Sequence, residues 1–262
     1  MARILDLSSI NLASLSQKLA RLDHYYQARF RNRFAPTVRA LSRFIPPGAH
    51  ILDIGANHGK FAKNFARLHG GSCTVWCFEP LPYNYTLLQQ IVGGFPNVRI
   101  HKVALSDKAG TADFYVPLRP SKRISPGAGH LGDEAHKDHF GTATAHDVGR
   151  ITVATDTLDN VAQRGGATRV DFMKIDVQGA ERLVFRGARA TLTKFKPPVY
   201  CEITPGLPLA LGETAQGSVA ELTGLGYRVY AFPEDAAEPT LIDGFRPEVR
   251  DYLFLHPERA NP

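Results

Sequence analysis

The chain has 262 residues, 44% hydrophobic and 21% charged, the balance of an ordinary globular protein long enough for one large domain with a sizeable core. No apolar stretch approaches the roughly 18–20 residues that span a bilayer, and the N-terminus lacks the apolar core and small-residue cleavage site of a secretory leader. The net charge of +6 lies entirely in residues 1–50, where eight Lys and Arg stand against two Asp, while the remainder carries 23 of each sign.

Three cysteines without ligand spacing suit a reducing compartment, so a cytoplasmic protein is expected. The basic arm suits nucleic acid, an anionic membrane surface or an acidic substrate. The plainer alternative is a solvated helix face. Between residues 12 and 44, Leu12, Leu15, Leu19, Leu22, Tyr26 and Phe30 recur at helical spacing. They predict one or two amphipathic helices, interrupted by Pro36 and ended by Pro46-Pro47-Gly48. Residues 1–47 are read as an N-terminal helical extension and 48–262 as the main domain.

The run 50–54, stopped by Gly55, predicts a fully buried parallel strand. Helical periodicity over 57–69 follows, then a strand over 73–78, a helix over 83–92 and a strand over 98–105. A strand at 111–116 leads into residues 117–149, rich in Gly, Pro, His and small polar residues. A segment of that length reads as a lid or substrate-binding insertion. A strand over 151–155, a helix from 158, a strand over 170–175, a helix over 179–193 and a strand over 199–203 come next. A helix over 218–223 and strands over 227–232 and 252–256 close the chain. This alternation predicts an α/β fold with a doubly wound, mostly parallel, Rossmann-like sheet. Ligands of such sheets bind beyond the carboxyl ends of the strands, where strand order reverses.

The first buried strand ends Asp53-Ile54-Gly55-Ala56-Asn57-His58-Gly59, whose glycines let the backbone turn tightly and approach a ligand. The next strand ends at Glu79, twenty residues past Gly59. A carboxylate there can accept hydrogen bonds from the ribose hydroxyls of an adenosine; a structural turn with an incidental acid is the alternative. Gly-x-Asn-x-Gly also differs from the Gly-x-Gly-x-x-Gly that aims a helix N-terminus at a pyrophosphate. Asp53, leading into the turn, repels phosphate but attracts an ammonium or sulfonium. The pattern therefore favours S-adenosylmethionine over an anionic dinucleotide. A second constellation, Met173-Lys174-Ile175-Asp176-Val177-Gln178-Gly179-Ala180-Glu181, ends a buried strand at Asp176, facing the same crevice. Glu181, in the first turn of the next helix, reads at least as well as a helix N-terminal acid as a catalytic one.

Six blocks, ILDIGANHGKFA, VWCFEPLPYNYTLL, NVRIHKVALSDKAG, TDTLDN, FMKIDVQGAERLVFRGA and VYCEI, resemble in order and spacing those of the FkbM-type methyltransferases. They cover roughly residues 50–205, with a weaker LGYRV segment near Tyr227. The resemblance implies a class I methyltransferase sheet of strand order 3-2-1-4-5-7-6 with the last strand antiparallel. It also implies S-adenosylmethionine as cofactor, S-adenosylhomocysteine as product, and O-methylation of a sugar, glycolipid or small natural product. By position, Asp53, Gly55, Asn57 and Gly59 would cradle the methionine part of the cofactor and Glu79 the ribose. Ala104 and Asp107 would border the adenine, and Asp176 and Glu202 would lie near the methyl group and the acceptor. Many members carry Asp-Val-Glu-Gly where this chain has Gln178, so no acid–base or metal role is expected of that residue.

A hydroxyl is a poor nucleophile until its proton begins to leave, so a general base is expected. The candidates are Asp176, Glu202 and a histidine of the 117–149 segment (His130, His136, His139 or His146), with His139 the choice among the four. A divalent metal on Asp176, Glu202 and a loop histidine could lower the hydroxyl pKa, but no compact ligand motif appears and a metal-free site is expected. The acceptor is expected to be a small molecule or glycan; nucleic acid is disfavoured, and the N-terminal helices would cap the site or mediate a homodimer. Three alternatives stay open: an RNA or protein methyltransferase using the basic arm, a nicotinamide-dinucleotide-dependent dehydrogenase, and a non-catalytic binding module.

Overall fold

A computed structural model describes residues 3–7, 15–119, 123–124, 127, 129–132, 147–204, 212–233 and 238–259. The chain opens on strand β1 (Arg3–Asp6), then helices α1 (Leu15–Phe30) and α2 (Ala35–Leu41). Strand and helix alternate from there: β2 (His50–Ile54), α3 (Ala62–Phe65), β3 (Thr74–Phe78), α4 (Pro82–Val92) and β4 (Val98–His101). Five strands follow without a helix between them: β5 (Ala104–Leu105), β6 (Gly110–Arg119), β7 (Arg123–Ile124), β8 (His130–Leu131) and β9 (Asp147–Asp156). Alternation resumes with α5 (Leu158–Arg164), β10 (Phe172–Ile175), α6 (Glu181–Gly187), α7 (Arg189–Phe195), β11 (Val199–Glu202) and α8 (Ala215–Thr223). The chain closes on β12 (Arg228–Ala231), β13 (Thr240–Leu241) and β14 (Asp251–Leu255).

The main sheet runs β13-β12-β14-β11-β10-β2-β3-β4. Pairing is parallel from β11 through β10, β2 and β3 to β4, and antiparallel where β14 inserts between β11 and β12. Apart from the hairpin strand β13, this is the 3-2-1-4-5-7-6 order that the resemblance implies. β2 and β10 are buried along their whole length, because helices cover both faces and leave no solvated side. Leu52, Ile54, Met173 and Ile175 point to one apolar layer; Ile51 and Phe172 point to the other, against Phe65. Burying a side chain of this size stabilises the fold by about 1.5–3 kcal/mol.

Strand order reverses between β2 and β10, and the crevice opens beyond their carboxyl ends. A second sheet, β1-β9-β6-β7 with β5 and β8 attached, stands over this end. Its core is the antiparallel β6–β9 pair, from Gly110↔Thr155 to Leu118↔Asp147. Both strands therefore run further into the 117–149 segment than their local pattern predicts.

Several local expectations change. Residues 3–6 of the predicted helical extension form a strand, held parallel to β9. The predicted 57–69 helix begins only at Ala62, because Asn57 (φ 49°) and Gly59 (φ 76°) are left-handed and turn the chain first. The predicted 98–105 strand divides, β4 staying in the main sheet while β5 pairs with β9. The predicted 179–193 helix breaks at Ala188. Helix α1 is fastened at its C-terminus by Lys63, whose Nζ donates to the carbonyls of Ala28 and Arg31 at 2.7 Å each. A cation placed there satisfies carbonyls that the helix itself leaves open.

Candidate active site

Two cavities meet at the carboxyl ends of β2 and β10. The first, about 570 Å³ including its open mouth, is floored by Gly55 and Asn57 and walled by Glu79, Ala104 and Asp176. Phe114 and Leu131 of the second sheet close it from above. The second cavity, about 870 Å³ including open space, shares Gly127, Asp176 and Gln178 with the first and reaches Lys174, Glu202 and Arg250.

Gly55 is required by its neighbour across the sheet. At φ 73°, a Cβ there would lie 1.9 Å from the carbonyl oxygen of Asp176. Its N–H and that of Ala56 both donate to the Phe78 carbonyl at 3.0 Å, which fixes the turn against the end of β3. Asn57 then brings its N–H to Glu79 Oε2 at 2.8 Å. Leu81 N–H donates to Glu79 Oε1 at 3.0 Å, and Asn84 Nδ2 reaches the same oxygen at 3.4 Å. Oε1 is thus taken, while Oε2 keeps one lone pair of a carboxylate's roughly four for a further donor. Burial pushes the Glu79 carboxyl up to about 7, against the lowering effect of these N–H groups. Behind Asn84, His58 Nε2 lies 3.2 Å from its Oδ1. Burial holds His58 down at about 3, so the ring is neutral at physiological pH.

Lys174 links the floor to the second cavity. Parallel register sets it beside Asp53. Its Nζ donates to the Gly55 carbonyl at 3.0 Å and pairs with Asp53 Oδ1 at 3.2 Å and Asp176 Oδ2 at 3.8 Å. Burial alone would lower Lys174, yet Asp53 and Asp176 hold its ammonium above the usual lysine value. The Asp53 carboxyl is raised by burial, an effect that Lys174 offsets only in part. Gln178, left-handed at φ 54°, turns back to donate Nε2–H to Asp176 Oδ1 at 2.6 Å. Gln178 therefore orients the carboxylate instead of adding one.

Glu202, at the end of β11, faces Asp176 across the second cavity. Its Oε1 accepts from Arg250 at 3.1 Å and Thr204 at 3.2 Å. Its carboxyl is raised by burial and by the negative charges of Asp176 and Asp251. Tyr200 donates to Asp251 Oδ1 at 2.8 Å. Phe34 and Phe61, stacked with ring centroids 4.4 Å apart, form an aromatic wall.

Of the residues singled out by sequence, Gly55, Asn57, Glu79, Ala104 and Asp176 line the first cavity, and Asp176 and Glu202 the second. Three stand off these walls. Asp53 is 0% exposed, its side chain on the covered face of β2 beside Lys174. Gly59 serves the packing of α4, since a Cβ there would come within 2.9 Å of Leu88 and 3.2 Å of Val92. Asp107 is exposed and accepts from Ser106 Oγ at 3.2 Å. His139, with His136 and His146, lies outside the described residues. His130 is buried in β8 beside Tyr115. Among the described residues, no group of three or more His, Cys, Asp or Glu is placed to hold a metal ion.

Sequence reasoning missed Lys174, Asn84, Arg250 and the orienting role of Gln178. Lys174 did carry a signal: it is the one charged residue in the apolar run Phe172–Ile175, and a lysine on a buried strand calls for a carboxylate beside it.

The family described as Methyltransferase FkbM domain matches residues 53–229. The chain belongs to the FkbM methyltransferase family. This FkbM-family chain is 32% identical over 159 residues to the 2-O-methyltransferase NoeI of Sinorhizobium fredii (strain NBRC 101917 / NGR234), covering 56% of this chain and 60% of NoeI. It is 28% identical over 161 residues to the methyltransferase SdnD of Sordaria araneosa, covering 55% and 61% respectively. It is 30% identical over 210 residues to the 31-O-demethyl-FK506 methyltransferase FkbM of Streptomyces tacrolimicus, covering 71% and 75%. The matches thus span about three fifths of the length of NoeI and SdnD.

Proposed function

We propose that the chain transfers a methyl group from S-adenosylmethionine to a hydroxyl of a sugar, glycolipid or small natural product. The observation that carries this reading is the lining of the first cavity: two carboxylates, Glu79 and Asp176, apolar walls, and no Lys, Arg or His among the described lining residues. Among the described residues a pyrophosphate finds no cation in that lining, whereas a cationic adenosyl compound finds opposite charge. The residues fit it in a second respect. Asn57 Oδ1 is buried with no hydrogen-bond partner among the described residues, and a buried acceptor of that kind calls for a donor. Glu79 Oε2 would hold the ribose, and Gly55, Asn57 and Asp176 the methionine end. NoeI is described as a 2-O-methyltransferase and the Streptomyces FkbM as a 31-O-demethyl-FK506 methyltransferase, in line with a hydroxyl acceptor here.

When bound, S-adenosylmethionine supplies an electrophilic methyl group whose carbon–sulfur bond breaks as the oxygen–carbon bond forms. The chain's own work is to position the acceptor and take its proton. Holding reactants in line accounts for much of the acceleration in such displacements. In this reading Glu202 is the general base: Oε1 is fixed by Arg250 and Thr204, Oε2 accepts the hydroxyl proton, and its raised carboxyl is a better proton acceptor than an ordinary glutamate. Asp176, locked by Gln178 and Lys174 where the two cavities join, aligns the acceptor hydroxyl. Incubation with methyl-labelled S-adenosylmethionine and a panel of sugars and alcohols tests the reading. Label in an alkali-stable ether is expected; label in amine products, or none in any acceptor, would overturn it.

A further inference from the structure

Helix α1 has two unlike faces. Inward, Gln17 and Ala28 are buried, and His24 meets Tyr83 Oη at 2.8 Å and stacks on His58 at 5.2 Å. Outward, Leu19 (57% exposed), Leu22 (63%), Tyr26 (58%) and Phe30 (62%) follow one another at spacings of three and four residues. They form a single stripe, and they are four of the five large hydrophobic side chains exposed among the described residues. Tyr26 and Phe30 already pack ring on ring at 4.8 Å. Exposed Lys18 and Arg29 lie on the same helix and exposed Arg31 and Arg33 just beyond it. The Arg29 guanidinium sits 5.6 Å from the Phe30 ring centre.

We infer that this face of α1 docks on an anionic lipid surface, lying in the headgroup plane with the stripe turned into the acyl boundary. An apolar stripe bordered by Lys and Arg is what such a surface takes up, the stripe by burial and the cations by attraction to anionic headgroups. A polyanion such as RNA would use the arginines but leave the stripe in water. A second copy fits poorly, because two arms each carrying the +6 surplus of residues 1–50 would meet. Four side chains also fall well short of the roughly 20–30 residues a side of a stable interface. Arg33 and Phe34, at the end of the same segment, line the second cavity, so docking would set its mouth beside the lipid. No helix among the described residues is long and apolar enough to cross a membrane; the contact is interfacial.

Flotation of the full chain with vesicles of phosphatidylglycerol and phosphatidylcholine, and with phosphatidylcholine alone, tests this. Binding to the anionic vesicles is expected, weaker by about tenfold or more on neutral ones and in high salt. The double variant Leu22→Glu/Phe30→Glu, confined to exposed positions, should lose anionic-vesicle binding by about tenfold or more, while Arg29→Glu/Arg31→Glu should lose it through charge alone. The inference is overturned if the wild type floats with neither vesicle, or if the apolar variant floats as well as the wild type. It is equally overturned if light scattering shows a dimer that Leu22→Glu/Phe30→Glu dissolves, or if RNA retains the apolar variant as well as the wild type and vesicles retain neither. Titration with S-adenosylhomocysteine, expected to be the same for all three proteins, separates failure of docking from failure of the methyl-transfer reading.

Discussion

Replacing Lys174 by methionine keeps the length of the side chain and removes one charge from the centre of the molecule. Lys174 is 4% exposed and Asp53 0% exposed, 3.2 Å apart, so the carboxylate left behind is shielded from solvent and loses the cation that offsets its burial. Removing one partner of a buried ion pair costs about 3–5 kcal/mol, while replacing both by neutral groups is often nearly free. Lys174→Met is therefore expected to lose about 3–5 kcal/mol at pH 8, and Asp53→Asn/Lys174→Met to recover most of it. The pH dependence has a definite sign. Burial already raises the Asp53 carboxyl, and losing Lys174 raises it further. A carboxyl raised in the folded state favours folding below its unfolded pKa, and that contribution is lost as pH rises through the folded value. The deficit of Lys174→Met should therefore narrow as pH falls from 8 toward about 4. Urea unfolding followed by Trp76, the single tryptophan and 3% exposed, reads all of this. A deficit below about 1 kcal/mol at pH 8, or a double variant no more stable than the single, would refute the ion-pair reasoning. Asp53→Asn alone, which leaves Lys174 on the Gly55 carbonyl and beside Asp176, should keep its affinity for S-adenosylhomocysteine, because Asp53 does not line the cavity. Loss of binding in a stably folded Asp53→Asn variant would put Asp53 on the cofactor instead.

Gly55→Ala should destabilise by more than the roughly 1–2 kcal/mol of left-handed strain, because its Cβ meets the Asp176 carbonyl at 1.9 Å. Gly70→Ala, at φ 71° with nothing within 4 Å, is the control that costs strain alone, and equal melting temperatures would contradict the close approach. With Glu79 raised to about 7, affinity for S-adenosylhomocysteine should weaken as pH falls through that value and stay level above it. Glu79→Gln should bind about 10–150-fold more weakly, as expected for losing a bond to a charged group worth about 1.5–3 kcal/mol, and should show no such pH step by calorimetry. Glu202→Gln should lower turnover by about 10²–10⁴ with S-adenosylhomocysteine affinity unchanged. Wild-type turnover should decline on the acid side at a pH above the ordinary glutamate range; an intact rate in the variant removes Glu202 as the base.

The main sheet was legible because its central strands are short apolar runs each stopped by Gly or an acid, a pattern only burial on both faces explains. Glu79 and Asp176 were legible for the same reason, standing where those runs stop. What local pattern could not convey is register and direction. The partnership of Asp53 with Lys174 exists only once β2 and β10 are aligned, 119 residues after the turn begins at Gly55. Asp107 sits in the right segment but points to solvent, and Gly59 serves helix packing. The four residues of β1 carry no periodicity of their own; they are a strand because β9, far along the chain, offers its edge. The early part of 57–69 looks helical until Asn57 is seen to be left-handed, which a side chain that tolerates that region permits.

The central claim is that the carboxylate-lined cavity beyond β2 and β10 takes an adenosyl sulfonium compound. Equilibrium titration of the wild-type chain with S-adenosylhomocysteine and, separately, with a nicotinamide dinucleotide tests it most directly. One saturable site per chain for S-adenosylhomocysteine and none for the dinucleotide is the predicted result. Dinucleotide binding at that site, or no heat with S-adenosylhomocysteine at millimolar concentration, would contradict the account.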